Sequence, residues 1–328
     1  MRRRDFIKGV AGSAAAWPLA ADAQQSAMPV IGFLGSTTPD EYALRLRVFR
    51  EGLKEEGYVE GENCRTEYRW ADGQNDRLPK LAVELVQLQV AVIVAASGTP
   101  GAVAARASTT TIPIVFGVGV DPVKEGLVAS LARPGGNLTG VTNLNVEIGP
   151  KRLELMHALL PKATAFGVLV DPTSPDITDT FTRGVQSAAG ALGIPLRILR
   201  ASSDRELDSA FATLVQSHLD GLIIGPSTYF SGRGKYLAAL ATRYGLPAIF
   251  QFGSFTAAGG LVSYGTDETE YYRLVGSYVG KVLKGEKPAD LPVQQSTKVE
   301  LIINLKTAKK LSIEVPVSLL GRADEVVE

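Results

Sequence analysis

Small hydroxyl side chains, glycines and aspartates recur in this chain immediately after short apolar runs, so that is where its chemistry concentrates. After Val30 to Leu34 stand Ser36 and Thr37; after Val90 to Ala95 stand Ser97, Gly98 and Thr99; after Pro113 to Phe116 comes Gly117-Val118-Gly119-Val120-Asp121-Pro122. Later runs are followed by Asp171, Thr173 and Ser174, by Ser227 and Tyr229, and by Gln251, with Tyr264 ending the series. Hydroxyls combined with the free backbone N–H groups of helix starts suit a small anion such as a carboxylate. Asp121 and Asp171 each carry two readings. Either can hold a cationic group such as an ammonium, or cap a helix, because Asp before Pro is a common helix start. Ser97 to Thr99 shares the second reading. Tyr229, Phe252 and Tyr264 offer flat faces to a ligand, and each also fits as core or cleft rim.

Material for catalysis is thin. The chain has two histidines, His157 and His218, each within or just after a helical pattern, which leaves little for a catalytic triad or a histidine metal site. No Gly-x-Ser-x-Gly nucleophile elbow occurs. The segment Gly232-Arg233-Gly234-Lys235-Tyr236 departs from a phosphate loop at both ends: Tyr229 stands where its first glycine belongs, and Tyr236 follows the lysine. Gly117-Val118-Gly119 has Pro122 in place of the third glycine of a dinucleotide fingerprint. The expectation is therefore binding without catalytic residue, metal or cofactor.

Loops of this kind need a scaffold that gathers them. The apolar runs named above, with Ala165 to Val170, Gly221 to Ile224, Pro247 to Phe250 and Gly260 to Ser263, read as strands buried on both faces. Amphipathic segments separate them. In Tyr42 to Glu56, for example, Leu46, Phe49 and Leu53 recur at helical spacing and Gly57 supplies the stop. Alternating strand and helix implies an α/β fold with parallel sheets flanked by helices. The series runs once from Val30 to about Thr142 and again from Ala165 to Ser263, giving two Rossmann-like lobes. Pro134-Gly135-Gly136-Asn137 marks a tight turn before a strand at Leu138 to Thr142. A long helix at Glu268 to Leu283 and the linker Lys284 to Pro292 follow, where Gly and Pro force an extended path. A strand at Val299 to Ile303 and a closing helical segment complete the chain. In such sheets ligands bind at the carboxyl ends of the strands, so two facing sets of loops would line a cleft.

The N-terminus bounds location. Arg2, Arg3 and Arg4 precede a weakly apolar stretch from Gly9 to Ala20 and the small residues Ala21-Asp22-Ala23, in the order of a signal peptide. Arg3, Arg4, Phe6, Ile7 and Lys8 resemble the twin-arginine consensus. Residues 1–23 are thus expected to be an export signal cleaved near Ala23. The mature chain, about 305 residues, exceeds what one core usually holds. Lys+Arg and Asp+Glu number 34 each, and no basic run follows the signal, which argues against nucleic acid as partner. No later segment reads as membrane-spanning. Cys64 is the only cysteine, so the fold rests on its hydrophobic core rather than on an internal disulfide.

Four long stretches carry a family resemblance: EGLKEEGYVEGEN (Glu51 to Asn63), IPIVFGVGVDPVKEGLVASLARPGGNLTGVTNL (Ile112 to Leu144), ELMHALLPKA (Glu154 to Ala163) and KVLKGEKPADLPVQQSTKVELIINLKTAKKL (Lys281 to Leu311). Through them the chain resembles the periplasmic solute-binding proteins of ABC importers, in particular the TrpX-like family with tryptophan- and phenylalanine-binding members. That resemblance implies a type I periplasmic binding protein fold with three crossovers, near Asn143, Gly265 and Ala289. Lobe 1 would comprise residues 28–143 plus 266–289, and lobe 2 residues 144–265 plus 290–328. It also implies a periplasmic protein that closes on a small polar solute, an amino acid or related carboxylate. Delivery would be to an inner-membrane permease driven by an ATPase. The implied ligand loops contain Ser36, Thr37, Ser97, Gly98, Thr99, Asp121, Asp171, Thr173, Ser174, Ser227 and Gln251. The chain departs from the family where many relatives begin the loop with Asn-Pro and later carry Asn-Ser: here it reads Asp171-Pro172-Thr173-Ser174-Pro175-Asp176. In relatives that loop helps bind the amino-acid group. An exported sensor subunit, or an exported α/β enzyme, would share this architecture.

The signal reading has a direct consequence. Replacing Arg3 and Arg4 together by Lys is expected to leave uncleaved precursor in the cytoplasm, read by immunoblot of cell fractions; undiminished export of the double variant refutes the twin-arginine assignment.

Overall fold

The computed structural model describes residues 28–328, and the export signal expected over residues 1–23 lies outside the described residues. In chain order the elements are β1 (Val30–Gly35), α1 (Ala43–Glu55), β2 (Arg65–Trp70), α2 (Leu78–Gln87), β3 (Val92–Ala95), α3 (Thr99–Ser108), β4 (Ile114–Val118) and β5 (Leu138–Thr142). Then follow α4 (Gly149–Leu159), β6 (Phe166–Val170), α5 (Pro175–Leu192), β7 (Leu196–Arg200), α6 (Asp204–Gln216), β8 (Gly221–Ile224), α7 (Thr228–Gly232), α8 (Gly234–Arg243), β9 (Ala248–Phe250), α9 (Gly253–Ala257) and β10 (Val262–Thr266). The chain ends with α10 (Glu268–Leu283), β11 (Gln294–Gln295), β12 (Val299–Asn304), α11 (Leu305–Lys310), α12 (Val317–Leu320) and β13 (Glu325–Val327).

These strands form two sheets, six-stranded in the order β11-β5-β4-β3-β1-β2 and seven-stranded in the order β13-β12-β10-β9-β8-β6-β7. All pairings are parallel except β10 with β12. The inner strands β3, β4, β6 and β8 are buried along their whole length, as expected of strands covered by helices on both faces. The apolar-run criterion passes over β2 and β7. Their sequences, RTEYRW and LRILR, alternate or mix charge with apolar residues, because each lies at a sheet edge and only part of it is covered.

Helix α10 follows the second sheet in sequence but packs on the first lobe. Tyr271, Tyr272, Val275 and Val279 share a buried cluster with Phe33, Phe49 and Leu53. Two glycines let the helices approach. A Cβ on Gly52 would stand 1.9 Å from the Arg273 carbonyl oxygen, and one on Gly276 would stand 2.1 Å from that of Phe49. The N-terminus of α10 is capped by Asp267, whose Oδ1 accepts from the N–H groups of Thr269 (2.8 Å) and Glu270 (3.4 Å). Asp267 also meets Lys298 Nζ at 2.8 Å. Burial raises the Asp267 pKa, but the Lys298 ammonium and these N–H groups outweigh it and hold the carboxyl below its ordinary value.

The lobes are joined by three strands of chain that run side by side. The first leaves after β5 through Asn143 and Asn145; the second returns from β10 through Thr266; the third passes from β11 to β12. Thr266 donates its N–H to Asn145 Oδ1 (3.3 Å) and its hydroxyl to the Asn143 carbonyl (3.3 Å), while Ser296 N–H reaches the Thr142 carbonyl at 2.8 Å. Arg152, fully buried at the start of the second lobe, donates to the carbonyls of Tyr264 (2.8 Å) and Asn145 (3.0 Å) and to Asn145 Oδ1 (3.3 Å). It has no ion-pair partner among the described residues, and burial pulls its pKa down to about 9.

One expected boundary is displaced. The chain does not leave the first lobe at Ala289: Val293 N–H donates to the Leu131 carbonyl (2.7 Å), and Gln294 and Gln295 pair with Val141 and Thr142 as an edge strand. Residues 290–296 therefore belong with the first sheet. An edge strand of two residues, both exposed, has no hydrophobic pattern by which to recognise it.

The glycine contact between α1 and α10 predicts the stability of the first lobe. Gly276→Ala is expected to destabilise the protein by about 1–3 kcal/mol through overpacking against the Phe49 carbonyl, read as a lower urea midpoint; an unchanged midpoint shows that the two helices can separate freely.

Candidate functional site

The carboxyl ends of both sheets face each other across a partly open cleft, with a cavity volume of about 80 Å³. The first lobe contributes the loop after β1 (Ser36, Thr37), the loop after β3 (Ser97, Gly98, Thr99), the start of α1 (Tyr42, Arg45) and α10 (Tyr271, Tyr272). Asn143 and Asn145 come from the first crossing, and the second lobe adds Ser227, Thr228, Ser231, Gln251 and Phe252.

Parallel strands end here with their loops turning into helices, so backbone donors and small side chains converge. Gly98 is required twice over. Its φ of 102° lies in the left-handed region, and a Cβ would meet the Thr228 methyl of the opposite lobe at 2.4 Å. Ser36 is already engaged, its hydroxyl donating to the Ser97 carbonyl at 2.8 Å. Thr37 Oγ1, Ser97 Oγ, Thr99 Oγ1 and Asn145 Nδ2, by contrast, are buried without a hydrogen-bond partner among the described residues. Each such group carries a desolvation cost of about 1–3 kcal/mol unless something bonds to it, and all four residues line the same cavity.

A charged and aromatic wall closes the other side. Arg45 Nε and Nη2 both donate to Glu268 Oε1, at 3.0 and 2.9 Å, and the pair is buried. The guanidinium carbon stands 5.3 Å from the ring centre of Tyr42, 5.6 Å from that of Phe252 and 5.7 Å from that of Tyr272. Burial alone would lower the Arg45 pKa; Tyr272 and Glu268 outweigh it, so the side chain remains a cation. Burial raises the Tyr42 and Tyr272 pKa values, keeping both phenols protonated. Tyr42 donates to the Ala96 carbonyl at 3.0 Å.

Of the residues singled out from sequence, Ser36, Thr37, Ser97, Gly98, Thr99, Ser227 and Gln251 line the cleft. The others do not. Asp121 caps the turn after β4, accepting from Val123 N–H (2.9 Å) and Lys124 N–H (3.4 Å). Asp171 is buried behind the wall with both oxygens occupied: Oδ1 takes the N–H (2.9 Å) and hydroxyl (2.8 Å) of Thr173, and Oδ2 takes the Ser227 hydroxyl at 2.6 Å. Thr173 and Ser174 border an adjoining groove with Asn75 and Pro100, and Asn75 Nδ2 reaches Thr173 Oγ1 across the lobes at 3.3 Å. The Tyr229 hydroxyl is turned to Asp204 (2.6 Å), with Arg233 over the ring. Tyr264 packs against the main core and offers its carbonyl to Arg152. Neither aspartate is therefore available to an ammonium in the cleft; each satisfies local donors first.

Tyr42, Arg45, Asn143, Asn145, Ser231, Tyr271 and Tyr272 are among the cleft residues that sequence reading missed. Arg45 sits one residue before Leu46 in an amphipathic helix, and Tyr271 and Tyr272 lie in a helix remote from every loop considered. A charged residue close to the apolar stripe of α1 was the one available signal.

Two further contacts hold the lobes together. Arg233 of the second lobe forms an ion pair with Glu41 of the first. Glu268 Oε2, the oxygen not used by Arg45, accepts from the Ser254 hydroxyl at 2.5 Å.

A family model described as ABC transporter substrate binding protein matches residues 40–327. A curated relative, the "Tyrosine-binding protein" of Clostridioides difficile, is 28% identical over 267 residues, covering 81% of this chain and 76% of the relative. Among solved structures, a conserved domain protein from Vibrio cholerae superimposes with a TM-score of 0.82 at 27% identity, covering 91% of this chain and 99% of that one. An ABC domain in complex with L-Trp from Streptococcus pneumonia gives 0.81 at 25% identity, with the same coverage.

The two aspartates should separate by variant. Asp171→Ala is expected to lower stability by about 1–3 kcal/mol and to weaken solute binding by releasing Ser227. Asp121→Ala should cost no more than about 1 kcal/mol and leave binding unchanged. Urea denaturation and calorimetric titration read both, and a loss of binding in Asp121→Ala contradicts its role as a turn cap.

Proposed function

Because this chain belongs to the ABC transporter substrate-binding protein family, we propose that it captures a small carboxylate-bearing solute between its lobes and presents the closed form to a membrane permease. Family members are binding proteins, and the cleft described above carries the arrangement such a role needs. The observation that supports it most directly is the set of unpartnered buried groups, Thr37 Oγ1, Ser97 Oγ, Thr99 Oγ1 and Asn145 Nδ2, on residues that line one cavity. Left empty, they destabilise the closed lobes; a bound carboxylate pairs with them and offsets that cost.

The mechanism is a population shift. A ligand that touches the first-lobe hydroxyls and the second-lobe residues Ser227, Gln251 and Phe252 together binds the closed state more tightly than the open one, and so favours closure. Arg233 with Glu41, and Ser254 with Glu268, are formed only when the lobes meet. A permease can then distinguish loaded from empty protein by the relative position of the lobes. Relatives described as binding tyrosine or tryptophan support an amino acid or related carboxylate as the class of solute. The twin-arginine signal read over residues 1–23 supports a periplasmic setting, and among the described residues no helix is long and apolar enough to cross a membrane.

Mass spectrometry of whatever small molecule the purified protein releases on denaturation identifies the solute. Adding it back is expected to reduce the radius of gyration in small-angle X-ray scattering and to leave the solute chemically unchanged. Arg233→Ala, which removes one interlobe pair, should weaken binding by roughly two- to tenfold. Turnover of the solute to a product sinks the binding-protein reading, as does a radius of gyration indifferent to it.

A further inference from the structure

We propose that the solute is a small carboxylate without an ammonium group, selected by Arg45 as its counter-charge, rather than an aromatic amino acid. This deepens the solute-binding reading and rests on it.

Three independent observations carry the assignment. First, the cleft has one charged side chain, Arg45, among the described residues lining it, and no carboxylate. The ammonium of a zwitterion would lie beside hydroxyls, amides and a cation. Asn145 Oδ1 is not free to receive it, because it already accepts from Arg152 Nη2 (3.3 Å) and Thr266 N–H (3.3 Å). Asn143 Oδ1 already accepts one hydrogen bond, from Asn145 N–H at 3.2 Å. An ammonium would find only neutral acceptors there, beside a cation, whereas an anion finds three free hydroxyls, the Asn145 amide donor and the Arg45 charge.

Second, Arg45 is held with donors to spare. Glu268 engages Nε and Nη2 from behind, leaving Nη1 without a protein partner among the described residues. Glu268 itself stays outside the lining and spends its second oxygen on Ser254. The pair thus fixes the guanidinium plane while the ligand side keeps a charge-assisted donor.

Third, three of the four aromatic side chains that line the cleft are already engaged with the Arg45 guanidinium. Tyr42, Phe252 and Tyr272 surround the Arg45 guanidinium at 5.3, 5.6 and 5.7 Å. The remaining cavity of about 80 Å³ is small beside the roughly 300–1,000 Å³ of sites for drug-sized ligands.

The test is a binding panel on the mature protein, stripped of any co-purified molecule by denaturation and refolding. L-lactate, pyruvate, propionate and succinate are titrated calorimetrically against L-alanine, L-tryptophan and L-tyrosine. At least one ammonium-free carboxylate is expected to bind about tenfold or more tighter than all three amino acids. In the double variant Arg45→Met with Glu268→Gln, which leaves no orphaned buried carboxylate, that preference should vanish; Arg45→Lys should retain part of it. An amino acid that binds more tightly than every carboxylate overturns this proposal while leaving the solute-binding function intact. Unaltered carboxylate affinity in the folded double variant overturns the role of Arg45. If no probe binds, the carboxylate assignment falls; the solute-binding function falls with it only when the co-purified molecule also fails to close the lobes.

Discussion

A fully buried guanidinium with no opposing carboxylate among the described residues ties this molecule together. Arg152 enters from the first helix of the second lobe and bonds to the carbonyl and side chain of Asn145 on one crossing and to the carbonyl of Tyr264 on the strand feeding another. A planar fork of donors can satisfy several carbonyls at fixed angles, which a lysine cannot reproduce. With Thr266 bonded to Asn143 and Asn145, the crossings become one narrow band rather than independent linkers. The cleft exists because both sheets are hung on that band with their carboxyl edges facing.

The cleft's polar content follows from how its walls are built. Asn145 serves both the hinge and the cavity: its Oδ1 is consumed by Arg152 and Thr266, and so its Nδ2 is the end left for a ligand. Asp171 is spent in the same way on Thr173 and Ser227, positioning the latter without entering the cleft. Glu268 holds Arg45 with one oxygen and the other lobe with its second. Acidic groups around the site are thus structural, and the polar lining of the cleft consists of hydroxyls, amides and the Arg45 guanidinium. In the proposed function, recognition and closure are coupled because the same side chains serve both.

Much of the fold was legible, and the omissions have a common cause. Continuous apolar runs identified the inner strands, since a strand covered on both faces must be apolar throughout. The edge strands Arg65–Trp70 and Leu196–Arg200 escaped because partial cover relaxes that demand. The two-residue strand at Gln294–Gln295 escaped because its contribution is backbone pairing alone. In the site, the loop hydroxyls Thr37, Ser97 and Thr99 were recognisable from their place after apolar runs. For Asp121 and Asp171 the Asp-Pro signature offered the cap reading beside the ligand reading, and the contacts that decide between them are tertiary for Asp171.

The sequence by itself determined the alternation of strand and helix, its duplication into two lobes, and which loops fall at the strand ends, because burial patterns and turn residues are local properties. It determined, too, how little is available for catalysis. Only the tertiary structure decided that Tyr271 and Tyr272 of α10 reach the cleft, that Arg45 rather than an aspartate supplies the cleft's charge, and that Gly98 faces Thr228 across it. Those are contacts between residues far apart in the chain, fixed by the packing of whole elements and the competition of each polar group for partners, and no window of sequence contains both members of the pair.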